Sequence, residues 1–374
     1  MHDYLREYGG AERVLESLNE IWKDAPIYTA SFEHQVMEAV GFKVPSGVIH
    51  PLLTQLLPWR YPLRKHYFFL YPFAFRRLKL DADVILSNCS YAAKFVEKSK
   101  NSLHICYLQT VPRFLWGYET ETKDLEVYQF DKYLKPVYRK IVPMLKTILK
   151  KMDYQAAQKV DYFIANSKNT AGKIKEHYKR DALVIYPPVD TEKFKPENSV
   201  IVNKNKDYFL VISRLGEYKK VDIVVEAFNQ LKLPLKIVGE GSQLPYLRSI
   251  AKDNIEILGW VSDEEKTRLL QRCQAFIFPT DEDFGIAPVE AMAAGKPVIA
   301  YQKGGAIETI VEGVTGAFFE EQTPSAIIDV VKKFDPDSFN PDLCQKQAEK
   351  FSKDEFKSRI KFFVEEAWEK KTNT

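Results

Sequence analysis

The sequence predicts an α/β protein built from two doubly wound, Rossmann-like domains that face each other across a cleft. Three observations predict it. Short β-branched or aromatic runs alternate with longer helix-patterned segments over almost the whole chain. The runs are continuously apolar rather than alternating, which is the pattern of parallel strands covered on both faces. The series breaks once, at Tyr186-Pro187-Pro188-Val189-Asp190 and the polar run through Lys206. Two adjacent prolines continue neither a strand nor a helix, so this break reads as a linker.

The first series gives candidate strands at 27–31 (IYTAS), 83–88 (DVILSN), 103–108 (LHICYL), 161–166 (DYFIAN) and 182–186 (ALVIY). The second gives 208–213 (YFLVIS), 235–239 (LKIVG), 255–259 (IEILG), 275–279 (AFIFP), 297–301 (PVIAY) and 316–320 (GAFFE). Each is of strand length, rich in Val, Ile, Phe or Tyr, and bounded by turn residues. The expected domains are 1–188 and 189–352, with a helical tail over 353–374 that no strand follows. At 374 residues the chain exceeds one ordinary domain.

Composition narrows the function. A net charge of +3 disfavours a pervasively basic nucleic-acid binder. Cys89, Cys106, Cys273 and Cys344 lie far apart and match no metal-ligand spacing. With no signal peptide, they suggest reduced thiols and a cytoplasmic location. No apolar run approaches the ~20 residues of a membrane span. From Pro58 to Lys79, aromatic residues interleave with Arg60, Arg64, Lys65, Arg76, Arg77 and Lys79, and a second such stretch runs from Tyr128 to Lys151. Rings mixed with cations suit the headgroup layer of an anionic membrane, and equally suit a helix with a packed face and a solvated one.

The chemistry concentrates in TDEDFGIAPVEAMAAGKPVIAYQKGGAIET, residues 280–309. A buried strand runs into an acidic loop, then Phe284-Gly285-Ile286, then a helix carrying Pro288 in its first turn, where no intrahelical N–H is needed. Gly285 allows close backbone approach to a ligand. The N–H groups of Gly285, Ile286 and Ala287 then face outward at the positive end of the helix dipole, a site suited to a diphosphate. Glu282 and Glu290 flank that turn, and a carboxylate reads vicinal hydroxyls well. Upstream, Arg214 and Lys219 follow the strand at 208–213 and can neutralise a leaving diphosphate without a metal. Gly239 and Gly241 read as a turn near the same crevice, and the backbone of Gly259, Trp260 and Val261 can pair with a base edge.

These motifs resemble the retaining glycosyltransferases of family four, which have the GT-B fold. The donor-site likeness lies in the Arg214…Lys219 pair, IVGEGSQ, LGWVSDEE and EDFGIAPVEAMAAGKPVIAYQKGGAIETI. YGGAERV (8–14), APIYTASF (25–32), FIANSKNTAGKI (163–174) and VIYPPVDTEKF (184–194) extend it over most of the chain, closest to mannosyltransferases of bacterial O-antigen and exopolysaccharide assembly. The resemblance implies that Glu290 holds the ribose hydroxyls. Glu282 and the N–H groups from Phe284 to Ala287 would hold the transferred sugar and diphosphate. Arg214 and Lys219 would stabilise the leaving phosphate, and Gly259 to Val261 would hold the base. Gly9 and Gly10 would close over the diphosphate, and the tail beyond 353 would fold back onto the first domain.

The implied reaction moves a hexose with retention, best matched by mannose from GDP-mannose, with UDP-sugars the other donor class. The acceptor would be a lipid-linked or polysaccharide glycan, and transfer is expected to need neither metal nor cofactor. Asp281-Glu282-Asp283 looks like an Asp-x-Asp metal motif, but its place before Phe-Gly and a helix argues against that role. Two departures stand out. Gln109, in Cys106-Tyr107-Leu108-Gln109-Thr110-Val111-Pro112, occupies the place of a histidine that contacts the donor sugar. Relatives also carry a strand before His2-Asp3, so the first N-terminal strand is expected to be missing here, exposing neighbouring strand edges. Two rival readings are a non-catalytic nucleotide-sugar-binding subunit and a dinucleotide oxidoreductase. The oxidoreductase lacks a Gly-x-Gly-x-x-Gly opening a helix with a downstream acid.

Overall fold

The structure, a computed structural model, describes residues 1–53, 69–118, 135–196 and 208–373. The chain forms two units, Met1–Pro187 with Phe356–Thr374, and Pro188–Glu355. The expected boundaries, 188/189 and 352/353, lie close to these.

The first unit contains β1 (Ile27–Thr29), β2 (Ile49–Pro51), β3 (Lys79–Leu80), β4 (Val84–Cys89), β5 (Glu97–Lys98), β6 (Leu103–Leu108), β7 (Tyr162–Ala165) and β8 (Ala182–Val184). Its main sheet runs β4-β6-β7-β8, all parallel, with β1-β2 and β3-β5 as separate parallel pairs. The segment at the chain's start lies between β1 and β4. His2 bridges in parallel to both Thr29 and Asn88, the His2 N–H donates to Tyr28 (2.9 Å) and the Asn88 N–H donates to Met1 (2.9 Å). Residues 1–3 thus occupy the slot where the family's first strand was expected, and join β1-β2 to the main sheet.

Asp3 fixes the loop after β4. Its Oδ2 accepts from the N–H groups of Ser90 (2.7 Å) and Tyr91 (2.8 Å), and its Oδ1 from those of Ala92 (2.7 Å) and Ala93 (2.8 Å). An ionised carboxylate offers about four lone-pair directions, and here all are used on one turn. That turn leads to Lys94, whose Nζ lies 2.6 Å from Asp153 Oδ1 with both side chains fully buried. Asp153 Oδ2 also accepts from Trp116 Nε1 (2.9 Å) and Tyr178 OH (2.7 Å). Burial opposes the lysine's charge, but Asp153 together with the nearby Cys89 and Cys106 holds the ammonium above its ordinary range.

The helix Lys353–Thr372 supplies part of the first unit's core. Phe356, Ile360, Val364 and Ala367 recur at helical spacing and pack against Val14, Leu18, Ile105 and Tyr107. Lys357 pairs with Glu20, and Lys371 Nζ donates to the Ser102 carbonyl at 2.8 Å. Within the aromatic stretch at 58–79, Tyr71 and Phe75 are buried in this unit's core while Phe73 is exposed. Those two rings therefore pack inward; residues 58–68 of that stretch, and 128–134 of the second, lie outside the described residues.

The second unit contains β9 (Phe209–Ile212), β10 (Leu235–Val238), β11 (Ile255–Gly259), β12 (Phe276–Phe278), β13 (Val298–Tyr301) and β14 (Gly316–Phe319). They form a six-stranded sheet in the order β11-β10-β9-β12-β13-β14 among the described residues, with every pairing parallel. The strand order reverses between β9 and β12, so the loops leaving their C-terminal ends diverge and open a crevice. Leu210, Val211, Ile237, Ile277 and Ile299 are buried, as continuous apolar strands require.

Replacing Asp3 tests the loop anchor. Asp3→Ala strands four N–H groups at once and should cost about 3 kcal/mol or more. For a unit of this size that lowers the melting temperature by roughly 6–12 °C, with Asp3→Asn in between. An unchanged melting curve would mean that water replaces the carboxylate without loss.

Candidate functional site at the strand-order reversal

The loop after β9 runs Ser213-Arg214-Leu215-Gly216 into a tight turn at Glu217–Lys219, closed by Lys220 in the left-handed region (φ 54°). The turn at 239–241 supports it from below. A Cβ at Gly239 would sit 1.8 Å from the Ser213 carbonyl oxygen, and one at Gly241 2.4 Å from that of Leu215. The Leu215 N–H donates to Glu240 at 2.7 Å. Gly239, expected among the donor-binding residues, is thus placed as backbone packing that positions Arg214 and Lys219.

The loop after β12 meets this one. Thr280 Oγ1 donates to the Lys219 carbonyl at 3.0 Å, and the Lys219 ammonium pairs with Glu282 Oε1. Burial works against the charge on Lys219, yet the adjacent Glu282 carboxylate prevails and the ammonium sits above its ordinary range. Arg214 is exposed on the same loop and lowers the proton affinity of Lys219. Asp281 faces a different lysine, Lys303, at 3.4 Å. Asp281 and Glu282 therefore answer to different cations.

Gly285 adopts φ 84° and precedes the helix Ile286–Ala293, which no side chain caps. A Cβ at Gly285 would meet the Phe278 ring at 3.0 Å, so the position needs glycine for both conformation and space. The Phe284 side chain is buried against Phe351 (5.6 Å between rings), which leaves only its backbone for a ligand. Ile286 and Ala287 are half-buried at the helix start. Glu290 is 2 % exposed and its two oxygens lie 2.8 and 2.7 Å from the Nζ of Lys266.

Gly304 and Gly305 press on the acidic loop from the other side. The Gly305 N–H donates to the Glu282 carbonyl at 2.8 Å. A Cβ at Gly304 (φ 61°) would lie 2.2 Å from the Glu282 carbonyl oxygen, and one at Gly305 2.2 Å from that of Phe284. Gly259 ends β11 at φ 72° with nothing within 4 Å of a Cβ, followed by Trp260, 74 % exposed, and the half-buried Val261.

The first unit's site residues form a separate chain of polar contacts. Gly9 precedes the helix Gly10–Ile21, and its N–H donates to Glu12 Oε2 at 2.8 Å. Glu12 Oε1 lies 3.2 Å from His2 Nε2, so that nitrogen carries the proton and Nδ1 accepts from Asn88 Nδ2 at 3.3 Å. Gln109 Nε2 donates to Asn88 Oδ1 at 2.7 Å, and Asn166 Nδ2 donates to the Gln109 carbonyl at 2.8 Å. Gln109, expected to face the donor sugar, is thereby tied to the network holding the Gly9-Gly10 turn.

Sequence reasoning assigned no role to Lys266, Gly304 or Gly305. The glycines lie in the quoted tract, but only the geometry shows what they contact. A glycine pair tests that contact. Gly259→Ala should cost about 1–2 kcal/mol, the left-handed penalty alone. Gly304→Ala carries the same penalty plus displacement of the acidic loop, about 1–3 kcal/mol more. Equal losses in denaturant unfolding would mean the loop yields freely.

Residues 190–354 match the family model for "Glycosyl transferases group 1". An uncharacterized glycosyltransferase of Methanocaldococcus jannaschii is 30% identical over 171 residues, covering 44% of this chain and 47% of that protein. The alpha-1,3/1,6-mannosyltransferase of Homo sapiens is 29% identical over 244 residues, covering 56% of this chain and 57% of its own. The chain thus spans about half the length of such relatives. Among solved structures, Anabaena HepE in complex with UDP-glucose superposes with a TM-score of 0.69 at 18% identity, covering 98% of each chain. That likeness establishes the α/β fold of both units. The match to the group 1 glycosyl transferases is thus carried by residues 190–354, the second unit.

Proposed function

We propose that the chain transfers a hexose from a nucleoside diphosphate sugar to a lipid-linked or polysaccharide acceptor, with retention of configuration. The observation that carries this is the strand-order reversal. There two loops tied to each other bring Lys219 and Glu282 together beside a left-handed glycine and an uncapped helix start. Diphosphate oxygens fit the N–H groups of Gly285 to Ala287, with Lys219 and Arg214 as counter-charges. Glu282 reads hydroxyls of the transferred sugar, and Glu290 those of the ribose.

As the sugar–phosphate bond breaks, negative charge collects on the departing phosphate. Lys219 and Arg214 stabilise it where it develops, and catalysis is then positioning plus electrostatics, with no side chain acting as nucleophile. Glu282 pairs with Lys219; a donor phosphate competes for that ammonium and releases the carboxylate for the sugar. Transfer is metal-independent on this reading, since Asp281 and Glu282 are each engaged by a lysine. Mannose as the transferred hexose is favoured by the likeness to the human alpha-1,3/1,6-mannosyltransferase, with GDP-mannose the donor that the sequence resemblance implies, and the UDP-glucose complex of the Anabaena protein supports the nucleotide-sugar class. No helix among the described residues is long and apolar enough to cross a membrane; a lipid-linked acceptor would be met at an anionic membrane surface.

A thermal-shift panel of GDP-, UDP-, ADP- and dTDP-sugars tests the donor. One nucleotide class should stabilise the protein, and NAD should not; stabilisation by NAD alone would overturn the reading. In turnover with a lipid-linked acceptor, Lys219→Met should lower kcat by roughly 100-fold or more. Activity should persist in chelator, and loss restored only by manganese would refute the metal-independent step. Donor binding without any turnover would favour the non-catalytic subunit.

A further inference from the structure

The first unit has a strand-order reversal of its own. The segment at the chain's start lies between β1 and β4, bridging through His2 to Thr29 and Asn88 and through Leu5 to Phe32. From it β1-β2 extend one way and β4-β6-β7-β8 the other. The chain leaves that central place at Tyr4–Arg6, and at such reversals open α/β sheets take their ligands. The Leu5 N–H donates to the Ser31 carbonyl (2.8 Å) and the Glu33 N–H to the Leu5 carbonyl (2.9 Å), which fixes the exit against the segment that follows β1. Leu5 is fully buried, and in extended chain its neighbours Tyr4 and Arg6 share the opposite face.

Three donors gather there without an acceptor among the described residues. The guanidinium carbon of the half-buried Arg6 lies 4.5 Å from the centre of the Tyr4 ring and 5.9 Å from that of Tyr71, and Arg6 makes no ion pair or hydrogen bond. The Tyr4 ring is held by its hydroxyl, which donates to Glu7 Oε1 at 2.9 Å, and by Tyr71, with 6.3 Å between ring centres. Tyr71 is 2% exposed and Ser31 0%, yet neither hydroxyl has a hydrogen-bond partner. Burial raises the proton affinity of the Tyr71 hydroxyl; the nearby Arg6 and Ser31 work against the rise, and Asp3 and Glu33 add weakly to it. Buried hydroxyls are normally paired. One negatively charged oxygen group would satisfy all three donors.

Resting on the transferase reading above, we propose that Arg6, Ser31 and Tyr71 form a subsite for an oxyanion of the acceptor, a phosphate or a carboxylate. A guanidinium over an aromatic ring keeps its N–H groups at its edge, where an oxyanion can take two of them at once. The Ser31 and Tyr71 hydroxyls donate to the remaining oxygens. The Tyr4 ring keeps the guanidinium in place. Such a group comes either from the diphosphate of a carrier lipid or from the carboxylate of an acidic sugar. A role in the fold alone predicts something different. A hydroxyl that serves the fold costs stability when it is removed, whereas one without a partner has no hydrogen bond to lose.

The experiment titrates the full chain by calorimetry with farnesyl diphosphate, methyl glucuronide and the neutral methyl glucoside. The nucleoside diphosphate that stabilises the protein best is kept saturating, so that the donor site is blocked. One anionic probe should bind and the glucoside should not; which probe binds tells a lipid diphosphate from an acidic sugar. Arg6→Gln should weaken that binding by about tenfold or more, the worth of a hydrogen bond to a charged group, and Arg6→Lys by less. Ser31→Ala and Tyr71→Phe should each weaken it by about threefold or more, with melting temperatures at or above that of the wild type. Nucleoside diphosphate binding should be the same in all four variants. Binding of neither anionic probe, equal binding of the glucoside, or undiminished binding in Arg6→Gln would each overturn the proposal. So would hydroxyl variants that melt earlier while binding the probe as before. Failure of the wild type to bind any nucleoside diphosphate would instead overturn the donor-site reading, and the same probes without nucleotide would then judge the subsite.

Discussion

The second unit is organised around two loops that must leave adjacent strands and still meet. β9 and β12 part at their C-terminal ends because the strand order reverses between them, which opens the crevice but also removes the neighbouring strand each loop would otherwise pair with. The gap is closed by the Thr280 hydroxyl on the Lys219 carbonyl and by the Lys219–Glu282 ion pair. Backbone then buttresses the two loops from outside, through Gly239 and Gly241 under residues 213–215 and Gly304 and Gly305 against residues 282–284. Side chains in those positions would push the loops apart. The same contacts that stabilise the crevice therefore set the spacing of its charges.

In both units, buried charge is handled by saturation. Asp3 meets four N–H groups, Asp153 meets Lys94, Trp116 and Tyr178, and Glu290 meets an ammonium on both oxygens. Isolated ions in such places would be too costly to keep. The difference lies in where they stand: Asp3 and Asp153 lie within the first unit's core, whereas Glu290 sits in the helix Ile286–Ala293, whose start no side chain caps.

Much of this architecture was legible in the amino-acid order because parallel strands covered on both faces leave unbroken apolar runs. The stretches at 103–108, 235–239 and 297–301 all became strands. β2 was not legible: Ile49–Pro51 is three residues long, ends in proline and has no flanking pattern. β3 and β5, two residues each, carry still less signal. In the site, Glu282, Glu290, Gly285 and Lys219 announced themselves because they sit in one compact tract and its nearest upstream turn. Lys266 did not, since a lysine in DEEKTRLLQR reads as one more charge on a solvated face. The chain of contacts from Gly9 through His2 and Asn88 to Gln109 was equally hidden, because it links residues far apart in sequence and depends on where three strands end. Close approaches at glycine are visible as glycine, but not as an approach to anything in particular.

The route of the chain has a consequence for how the molecule is made. It leaves the first unit at Pro187 and returns at Phe356, so Val14, Leu18, Ile105 and Tyr107 await apolar partners that are synthesised only after the whole second unit. The intervening unit is continuous and can finish folding while the earlier one is still incomplete. Until the helix Lys353–Thr372 emerges from the ribosome, a strip of oily surface on the first unit stays uncovered. Chaperone dependence and aggregation during synthesis should accordingly concentrate in that interval, and a stop codon shortly before Phe356 would do more harm to the half of the molecule made first than to the half made second.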